Sequence, residues 1–253
     1  MMNLRTFYID HHIDYEEYQC DDEIIQKFYL IRNENHIPFI TIPDGCIDIQ
    51  FMFQKTNKTA CISGSVEIPH VSHNIDKDWI FGVKLNPGIL PAMISEEDKR
   101  ILDQHIDISQ KKNIPKILES LEWTDNVSSM IAIVKDPVKA MISDKTNQVV
   151  GDALQQIIEQ QGCVKIANIA DKMRYSQHHI NREFKKNIGF SLKQYAEIIR
   201  MQSAISYLEK SKTDMVYEQL GYYDQAHFIK EFKKFTLQTP QNYMKKSILG
   251  VLV

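Results

Sequence analysis

The chain has 253 residues, of which 43% are hydrophobic and 25% are charged, ordinary values for a globular protein with room for two modest domains. No stretch of about 18 consecutive apolar residues occurs and the first residues lack the apolar core of a signal peptide, so we expect neither a membrane span nor a secretory signal. The formal net charge of −3 is unevenly divided: residues 1–150 carry 15 Lys and Arg against 23 Asp and Glu, and residues 151–253 carry 15 against 10, which favours a polyanionic partner for the C-terminal part.

The four cysteines are far apart in the sequence and form no C-x-x-C pair; they are Cys20, Cys46, Cys61 and Cys163. This spacing predicts reduced thiols in a cytoplasmic protein rather than a disulfide framework. The sequence predicts no cofactor.

The N-terminal part carries short strand patterns. Residues 37–53, 59–68 and 78–90 are rich in β-branched and aromatic side chains and are punctuated by Gly and Pro, with a turn signal at Pro43-Asp44-Gly45. Because no helix pattern alternates with these strands, a small sandwich or barrel is favoured over a Rossmann-type sheet.

From residue 95 the pattern becomes helical. Residues 95–108 and 114–123 are short helix candidates, the first with Ser95 and Asp98 placed as in a capping box. Residues 125–148 are predicted to be helical up to Asp136, where Pro137 interrupts the helix. The polar run 143–148 is the predicted hinge between the two halves.

The remaining chain is predicted to be helical, with a long helix over residues 191–211 that has one apolar face. Its most informative feature is an internal repeat. Residues 176–195, SQHHINREFKKNIGFSLKQY, are matched 48 positions later by residues 224–243, DQAHFIKEFKKFTLQTPQNY. Each copy starts with a good N-cap residue, Ser176 or Asp224. So dense a match favours a repeated structural unit over simple charge patterning.

Helical geometry divides the side chains of each copy into two faces. The apolar face should be buried and comprises Ile180 and Phe184 in the first copy and Phe228, Phe232 and Phe235 in the second. Cations lie on the other face. A short apolar segment and a tight turn precede each copy, with Arg174 in the first turn and Gly221 in the second. This is the helix-turn-helix plan, in which the second helix enters the major groove of DNA. Two such units, joined by the long helix, would read successive major grooves about 34 Å apart.

The last hundred residues resemble the C-terminal DNA-binding domain of AraC/XylS-type transcription regulators. The motifs that carry this resemblance are IADKMRYSQHHINREFKKNIGFSLKQY, the arginine Arg200 in IIRMQSAISYL, and LGYYDQAHFIKEFKKFTLQTPQNY. More loosely, IPDGCIDIQF and FGVKLNPGIL are similar to the reduced, cupin-like N-terminal domains of some members. Two positions depart from the family pattern: Tyr217 stands where a small residue is usual, and Leu237 where glycine is usual.

The resemblance implies an α+β protein in three parts. Residues 1–94 would form a β-rich, cupin-like sensory or dimerisation domain, residues 95–148 a helical connector, and residues 149–253 the DNA-binding domain. The implied partner is double-stranded DNA in the nucleoid, with a small-molecule effector and a homodimer as further expectations, and no membrane.

The family reads bases through the N-terminal halves of its two reading helices. Carried over by position, this nominates Gln177, His178, Asn181 and Arg182 in the first unit and Gln225, Ala226, His227 and Lys230 in the second. Arg182 suits a guanine edge, and Gln or Asn suits adenine. Because Ala226 can only touch a thymine methyl group, we expect the first unit to carry more of the specificity.

A second set suits phosphate. Lysine is a flexible point charge whose phosphate contacts are largely independent of sequence, and helix N-termini offer backbone N–H groups to anions. The predicted phosphate contacts are Lys185, Lys186, Ser191, Lys233, Lys234 and Thr239.

The N-terminal part offers weaker signals. His70 and His73 with Cys61 or Cys46 suggest a metal cluster, but no fourth ligand has typical spacing, so packing or surface roles are preferred. Asp44 and Asp48 are better explained as a turn residue and a strand-edge residue than as catalytic partners, and nothing near Cys46 would depress the pKa of its thiol for redox sensing.

These patterns favour a sequence-specific transcription regulator and no enzymatic activity. Two alternatives stay open: a DNA-binding protein whose front domain only dimerises, and a DNA-repair alkyltransferase-like enzyme. The second would require clustered cysteines, and the four here are scattered.

Overall fold

The computed structural model describes residues 3–9, 12–94, 102–122, 126–142, 147–211 and 216–249. The strands among them are β1 (Phe7–Tyr8), β2 (Asp14–Gln19), β3 (Ile25–Arg32), β4 (Ile40–Thr41), β5 (Asp48–Gln54), β6 (Asn57–Ser63), β7 (His70–Val71), β8 (Trp79–Leu85) and β9 (His105–Asp107). The helices among them are α1 (Ile114–Ser120), α2 (Val127–Lys139), α3 (Gln148–Glu159), α4 (Ile166–Met173), α5 (Gln177–Ile188), α6 (Leu192–Ser211), α7 (Val216–Gln219), α8 (Gln225–Thr236) and α9 (Pro240–Leu249).

The strands form two antiparallel sheets. The large sheet has the order β2-β3-β8-β5-β6-β9 and the small one the order β1-β4-β7. The small sheet covers one face of the large sheet, where Phe7, Tyr29 and Met52 share a core. This arrangement confirms the predicted α+β fold with a β-rich N-terminal part.

Helices cover the opposite face of the large sheet. The side chains of Phe51 and Phe81 on this face share a buried core with Leu118 of α1 and with Met130 and Val134 of α2. The described part of the predicted connector therefore packs onto the sheet. Strands β3, β5 and β8 are covered on both sides, which explains why nearly every residue in them is buried.

Two details of the predicted helices are wrong. Residues 105–107, expected to be helical, form β9, because the edge of β6 supplies a hydrogen-bonding partner with Cys61 opposite Asp107. Helix α2 continues through Pro137 to Lys139, since the proline removes a single backbone donor and the buried side chains of Val134 and Val138 hold this turn in the core. The predicted capping residues Ser95 and Asp98 lie outside the described residues.

The hinge prediction falls partly outside the described residues, which resume at Asn147. The Asn147 side chain accepts hydrogen bonds from the backbone N–H groups of Val149 (3.0 Å) and Val150 (3.4 Å) and so caps α3. Helices α3 to α9 then build a third core around α6. In this core, Gly162 (φ 75°) lies against the α6 backbone, where a methyl group would overlap Ala196 and Arg200. Glycine is therefore required there.

All four cysteines are free thiols. Within the described ranges, no helix is both long enough and apolar enough to cross a membrane.

Candidate nucleic-acid interface

The sequence repeat is a structural repeat of two helix pairs, α4–α5 and α7–α8. Both reading helices, α5 and α8, start at the predicted caps. Ser176 Oγ accepts a hydrogen bond from His179 N (3.2 Å), and Asp224 Oδ1 accepts one from His227 N (2.7 Å). Each cap satisfies a backbone donor that would otherwise have no partner in the first turn.

Both reading helices are anchored in the same way. The five apolar side chains predicted to face inward are buried; they are Ile180, Phe184, Phe228, Phe232 and Phe235. Phe184 packs edge-on against Tyr195 with 5.3 Å between ring centroids, and Phe232 packs against Tyr243 in the same way at 5.5 Å. The repeat thus preserves a phenylalanine–tyrosine contact that fixes each helix in the core.

The turns around the two units also match. Arg174 (φ 58°) and Gly221 (φ 66°) are left-handed at the turn before the reading helix, and Gly189 (φ 89°) and Leu237 (φ 60°) have positive φ after it. Each unit therefore has one glycine and one non-glycine residue with positive φ. A left-handed backbone costs a non-glycine residue roughly 1–2 kcal/mol. Both reading helices thus end at a residue with positive φ, although Leu237 (ψ 7°) is left-handed and Gly189 (ψ −35°) is not. Tyr217, the other departure, packs partly buried against the helical core.

The four base-reading candidates of the first unit are all exposed: Gln177, His178, Asn181 and Arg182. Two of them already have partners. The Arg182 guanidinium lies 3.2 Å from His179 Nδ1 and donates to Glu183 Oε1 (3.2 Å), an exposed pairing that costs little to exchange.

Asn181 has a structural task that the sequence pattern did not reveal. Its Oδ1 accepts a hydrogen bond from Leu192 N at the start of α6 (3.1 Å). Base reading by Asn181 stays a prediction and would compete with this bond. Capping patterns in a sequence extend over only a few residues, whereas Asn181 precedes Leu192 by 11 positions. The contact could therefore be recognised only from the structure.

The candidates of the second unit, Gln225, Ala226, His227 and Lys230, are also exposed. The His227 ring rests edge-on against Tyr222 with 5.7 Å between centroids. Tyr222 in turn carries the guanidinium of Arg200 over its ring at 4.3 Å. The α6 arginine of the family motif therefore ties the long helix to the second unit by a cation–π contact.

The lysines predicted to contact phosphate, Lys185, Lys186, Lys233 and Lys234, are exposed at the C-terminal halves of α5 and α8. Only Lys234, among these, has a described partner: its Nζ lies 5.4 Å from the centre of the Phe235 ring. The four charges are thus available to an external polyanion.

Ser191 and Thr239 act as helix caps in the structure. Ser191 N donates to Gln194 Oε1 (3.0 Å) and Gln194 N donates to Ser191 Oγ (3.2 Å), a reciprocal capping box. Asn242 N donates to Thr239 Oγ1 (3.3 Å). A phosphate at either helix start would have to replace these bonds, whereas no described hydrogen bond of the four lysine side chains would have to be replaced.

The other candidate groups lie in the N-terminal part. Cys46 and Cys61 are buried in two separate cores, whereas His70 and His73 contact each other with 4.9 Å between ring centroids. The sequence missed His105, whose ring is 5.5 Å from that of His73. Within the described ranges, no group of three or more His, Cys, Asp or Glu is arranged to hold a metal ion.

Asp44 and Asp48 occupy the predicted turn and strand edge and are both buried. They flank Lys84, which pairs with the Asp44 carboxylate and has its Nζ 3.2 Å from Asp48 Oδ1. Burial alone would lower the pKa of Lys84, but the two carboxylates outweigh it and raise that pKa. Burial also raises the pKa of the Cys46 thiol, which keeps it protonated and unreactive.

Two family models match the chain. Residues 169–246 match a helix-turn-helix domain, and residues 22–107 match a domain of unknown function, DUF6597.

Among curated relatives, the HTH-type transcriptional regulator YtdP of Bacillus subtilis is 26% identical over 180 residues, which make up 70% of this chain and 21% of that protein. An HTH-type transcriptional regulator of Haemophilus influenzae is 31% identical over 96 residues, 37% of this chain and 32% of the relative. The chain thus spans about a fifth to a third of the length of these relatives.

Two solved structures show partial similarity. The C-terminal domain of AraT, a response regulator from Geobacillus stearothermophilus, has 25% identity and a TM-score of 0.37, covering 39% of this chain and 85% of that one. ToxT from Vibrio cholerae has 12% identity and a TM-score of 0.46, covering 96% of this chain and 99% of that one.

Proposed function

We propose, on the premise that residues 169–246 form a helix-turn-helix domain of the AraC type, that the chain is a sequence-specific, DNA-binding transcription regulator without enzymatic activity, acting on the nucleoid in the cytoplasm. The repeat carries this proposal. Two capped helices, 48 positions apart in the sequence, each bury their aromatic side chains and leave polar and cationic ones exposed, the arrangement with which helix-turn-helix proteins enter a major groove.

The two reading helices suit successive grooves on one face of the DNA. Helix α6 joins the two units and has 20 residues, a length of about 30 Å at 1.5 Å per residue. This is close to the roughly 34 Å that separate successive major grooves.

The β-rich part touches both DNA-reading units. Tyr195 of the first unit packs on Gly45, so closely that a methyl group at Gly45 would overlap the tyrosine ring. Tyr243 of the second unit lies 4.9 Å, centroid to centroid, from Tyr8 of β1. These are the same repeated tyrosines that anchor the reading helices. A displacement of the β-rich part would therefore act on both anchors.

A hydrogen-bonded latch reinforces this contact. The fully buried Gln202 side chain of α6 accepts from Arg5 N (2.7 Å) and donates to Arg5 O (2.8 Å) and to Pro43 O (2.7 Å). Arg5 also pairs with Glu209 of α6 (3.1 Å) and with Glu17 of β2 (3.0 Å). The N-terminal segment is thus held by both parts of the chain. We infer that an effector or a dimer contact on the β-rich part regulates DNA binding through this latch.

Selection of bound sequences from random double-stranded DNA tests the proposal. The purified full chain should enrich a site with two conserved blocks in successive major grooves. Recovery of the starting pool without enrichment would overturn sequence-specific binding. Repeating the selection over a range of protein concentrations shows whether the site is a single copy or an inverted pair, which separates a monomeric reader from a protein whose front domain dimerises.

Replacing Gln202 by leucine should loosen the latch. The backbone groups of Arg5 and Pro43 would lose their partner while remaining buried, at about 1–3 kcal/mol for each unsatisfied group. Hydrogen exchange followed by mass spectrometry should show faster exchange at residues 3–8 in this variant. The exposed Gln160→Leu variant is the control and should exchange like the unmodified chain. Equal protection in Gln202→Leu would contradict the latch.

A further inference from the structure

A cleft of about 310 Å³ lies between the β-rich part and helix α3. Leu4, Gln26, Asn86 and Pro87 line it on the side of the β-rich part, and α3 contributes residues between Gly151 and Glu159 on the other side. Its volume falls at the lower end of the range typical of small-molecule sites, about 300–1,000 Å³. Leu4, Pro87, Leu154 and Ile158 make much of its wall apolar.

Two buried amide oxygens in this wall have no hydrogen-bond partner within the described part of the chain: Gln26 Oε1 and Asn86 Oδ1. The side chains are only 3% and 7% exposed. The Asn86 amide is fixed, because its Nδ2 donates to the carbonyl oxygen of Asp22 (2.8 Å), which leaves the oxygen as a free acceptor. An unsatisfied buried acceptor is costly, and a ligand that donates a hydrogen bond would remove that cost.

A β-bulge in β3 sets the position of Gln26. The register of β3 against β8 shifts between Ile25 and Lys27, so that Gln26 is the extra residue of a β-bulge. A bulge re-aims one side chain, and bulges are common beside binding and active sites. The bulge takes Gln26 out of the regular alternation of β3, and Gln26 is one of the residues that line the cleft.

The charged residues of the cleft have one sign. Glu23 and Glu159 are exposed residues that line it, and no Lys or Arg is among the described lining residues. Two amide acceptors and two carboxylates match a donor-rich, positively charged group and would repel an anion.

We propose that this cleft binds a small organic amine, with its ammonium group on the oxygens of Gln26 and Asn86 and its apolar body against Leu154 and Ile158. Such a ligand bridges the β-rich part and α3. Because α3 packs against the reading helix α5, occupancy changes DNA affinity. This last step rests on the proposed function, whereas binding itself does not.

Calorimetry on the full chain without DNA tests the site, using hexylamine and phenethylamine as probes and hexanoate and phenylacetate as anionic counterparts of similar size. We expect the amines to bind and the carboxylates not to bind. Gln26→Leu should weaken amine binding about tenfold, the effect of losing roughly 1.4 kcal/mol. Equal binding of amines and carboxylates, or no amine binding, would overturn the proposal.

Gly151 offers a matched pair of variants. It lies inside α3, and a methyl group added there would meet nothing within 4 Å, so side chains are tolerated and helix propensity improves. Gly151→Leu should fill the cleft and abolish amine binding, while Gly151→Ala should retain it. Unchanged binding in Gly151→Leu would place the amine elsewhere and overturn the site.

Titration of the selected DNA with and without amine tests the coupling. A shift in DNA affinity that is lost in Gly151→Leu supports it. Amine binding with unchanged DNA affinity would contradict the step through α3, and a chain that binds amine but no specific DNA would overturn the proposed function while upholding the site.

Discussion

Replacing Lys84 by methionine should lower the free energy of unfolding by about 3–5 kcal/mol, because removal of one partner of a buried ion pair leaves uncompensated charge. Lys84 is fully buried between the carboxylates of Asp44 and Asp48. The same carboxylates also accept hydrogen bonds from neutral groups, with Thr6 Oγ1 donating to Asp44 (2.9 Å) and the Tyr29 hydroxyl donating to Asp48 (3.2 Å). The loss should appear as a lower midpoint in urea unfolding followed by fluorescence.

Lys77→Met is the matched control. Lys77 pairs with Asp76 at 2.9 Å, but the Asp76 side chain is half exposed, and such surface pairs contribute about 0–1 kcal/mol. Adding Asp44→Asn and Asp48→Asn to Lys84→Met should recover part of the lost stability, since the repelling carboxylates are then gone. Equal stability of Lys84→Met and Lys77→Met would contradict the buried ion cluster.

Replacing Arg182 by alanine should selectively weaken binding to the preferred DNA site. A bidentate contact to guanine is worth about 1–3 kcal/mol of discrimination, or roughly 5- to 150-fold in affinity. Binding to random DNA should change little. Fluorescence anisotropy with both DNAs measures the two effects side by side.

Lys186→Ala should behave differently, since a phosphate contact is independent of sequence. Affinity should fall about equally on both DNAs, and the slope of log affinity against log salt should flatten by about one. Lys116→Ala, an exposed lysine on α1, is the control and should leave both unchanged. An equal loss on specific and random DNA for Arg182→Ala would contradict base reading by this residue.

The C-terminal part was predictable because its signal is repeated. The matches at Phe184 and Phe232 and at Tyr195 and Tyr243 pointed to one structural unit used twice, and the structure gives both pairs the same edge-on contact. The caps at Ser176 and Asp224 were also local signals, read from residue type and position alone.

The N-terminal part was less predictable because its contacts are long-range. Lys27 on β3 is fully buried, and its Nζ pairs with the carboxylate oxygen of Glu17 on β2 at 2.5 Å. A charged residue inside a buried strand interrupts the apolar pattern from which the strand would be predicted. β9 forms because β6 has a free edge, a fact that no local window contains. In both cases the local structure depends on a partner from another strand, Glu17 on β2 for Lys27 and β6 for β9.

One residue type in the sequence pointed to the latch between the two parts, the polar Gln202 on an apolar helix face. Gln202 stands on α6 in the middle of a buried apolar face, next to Ile198 and Ile205. A buried polar residue in such a position needs partners, but those partners are backbone groups of Arg5 and Pro43, nearly 200 and 160 positions away. The sequence could mark Gln202 as unusual without saying what it binds.

The most direct test of two-groove reading is methylation interference at guanine N7 on the selected DNA, combined with a spacing series. The structure predicts two patches of major-groove contact on one face of the duplex, with centres about 10–10.5 base pairs apart, and a large loss of affinity when five base pairs are inserted between them. A single patch, or an affinity that the insertion leaves unchanged, would contradict the account.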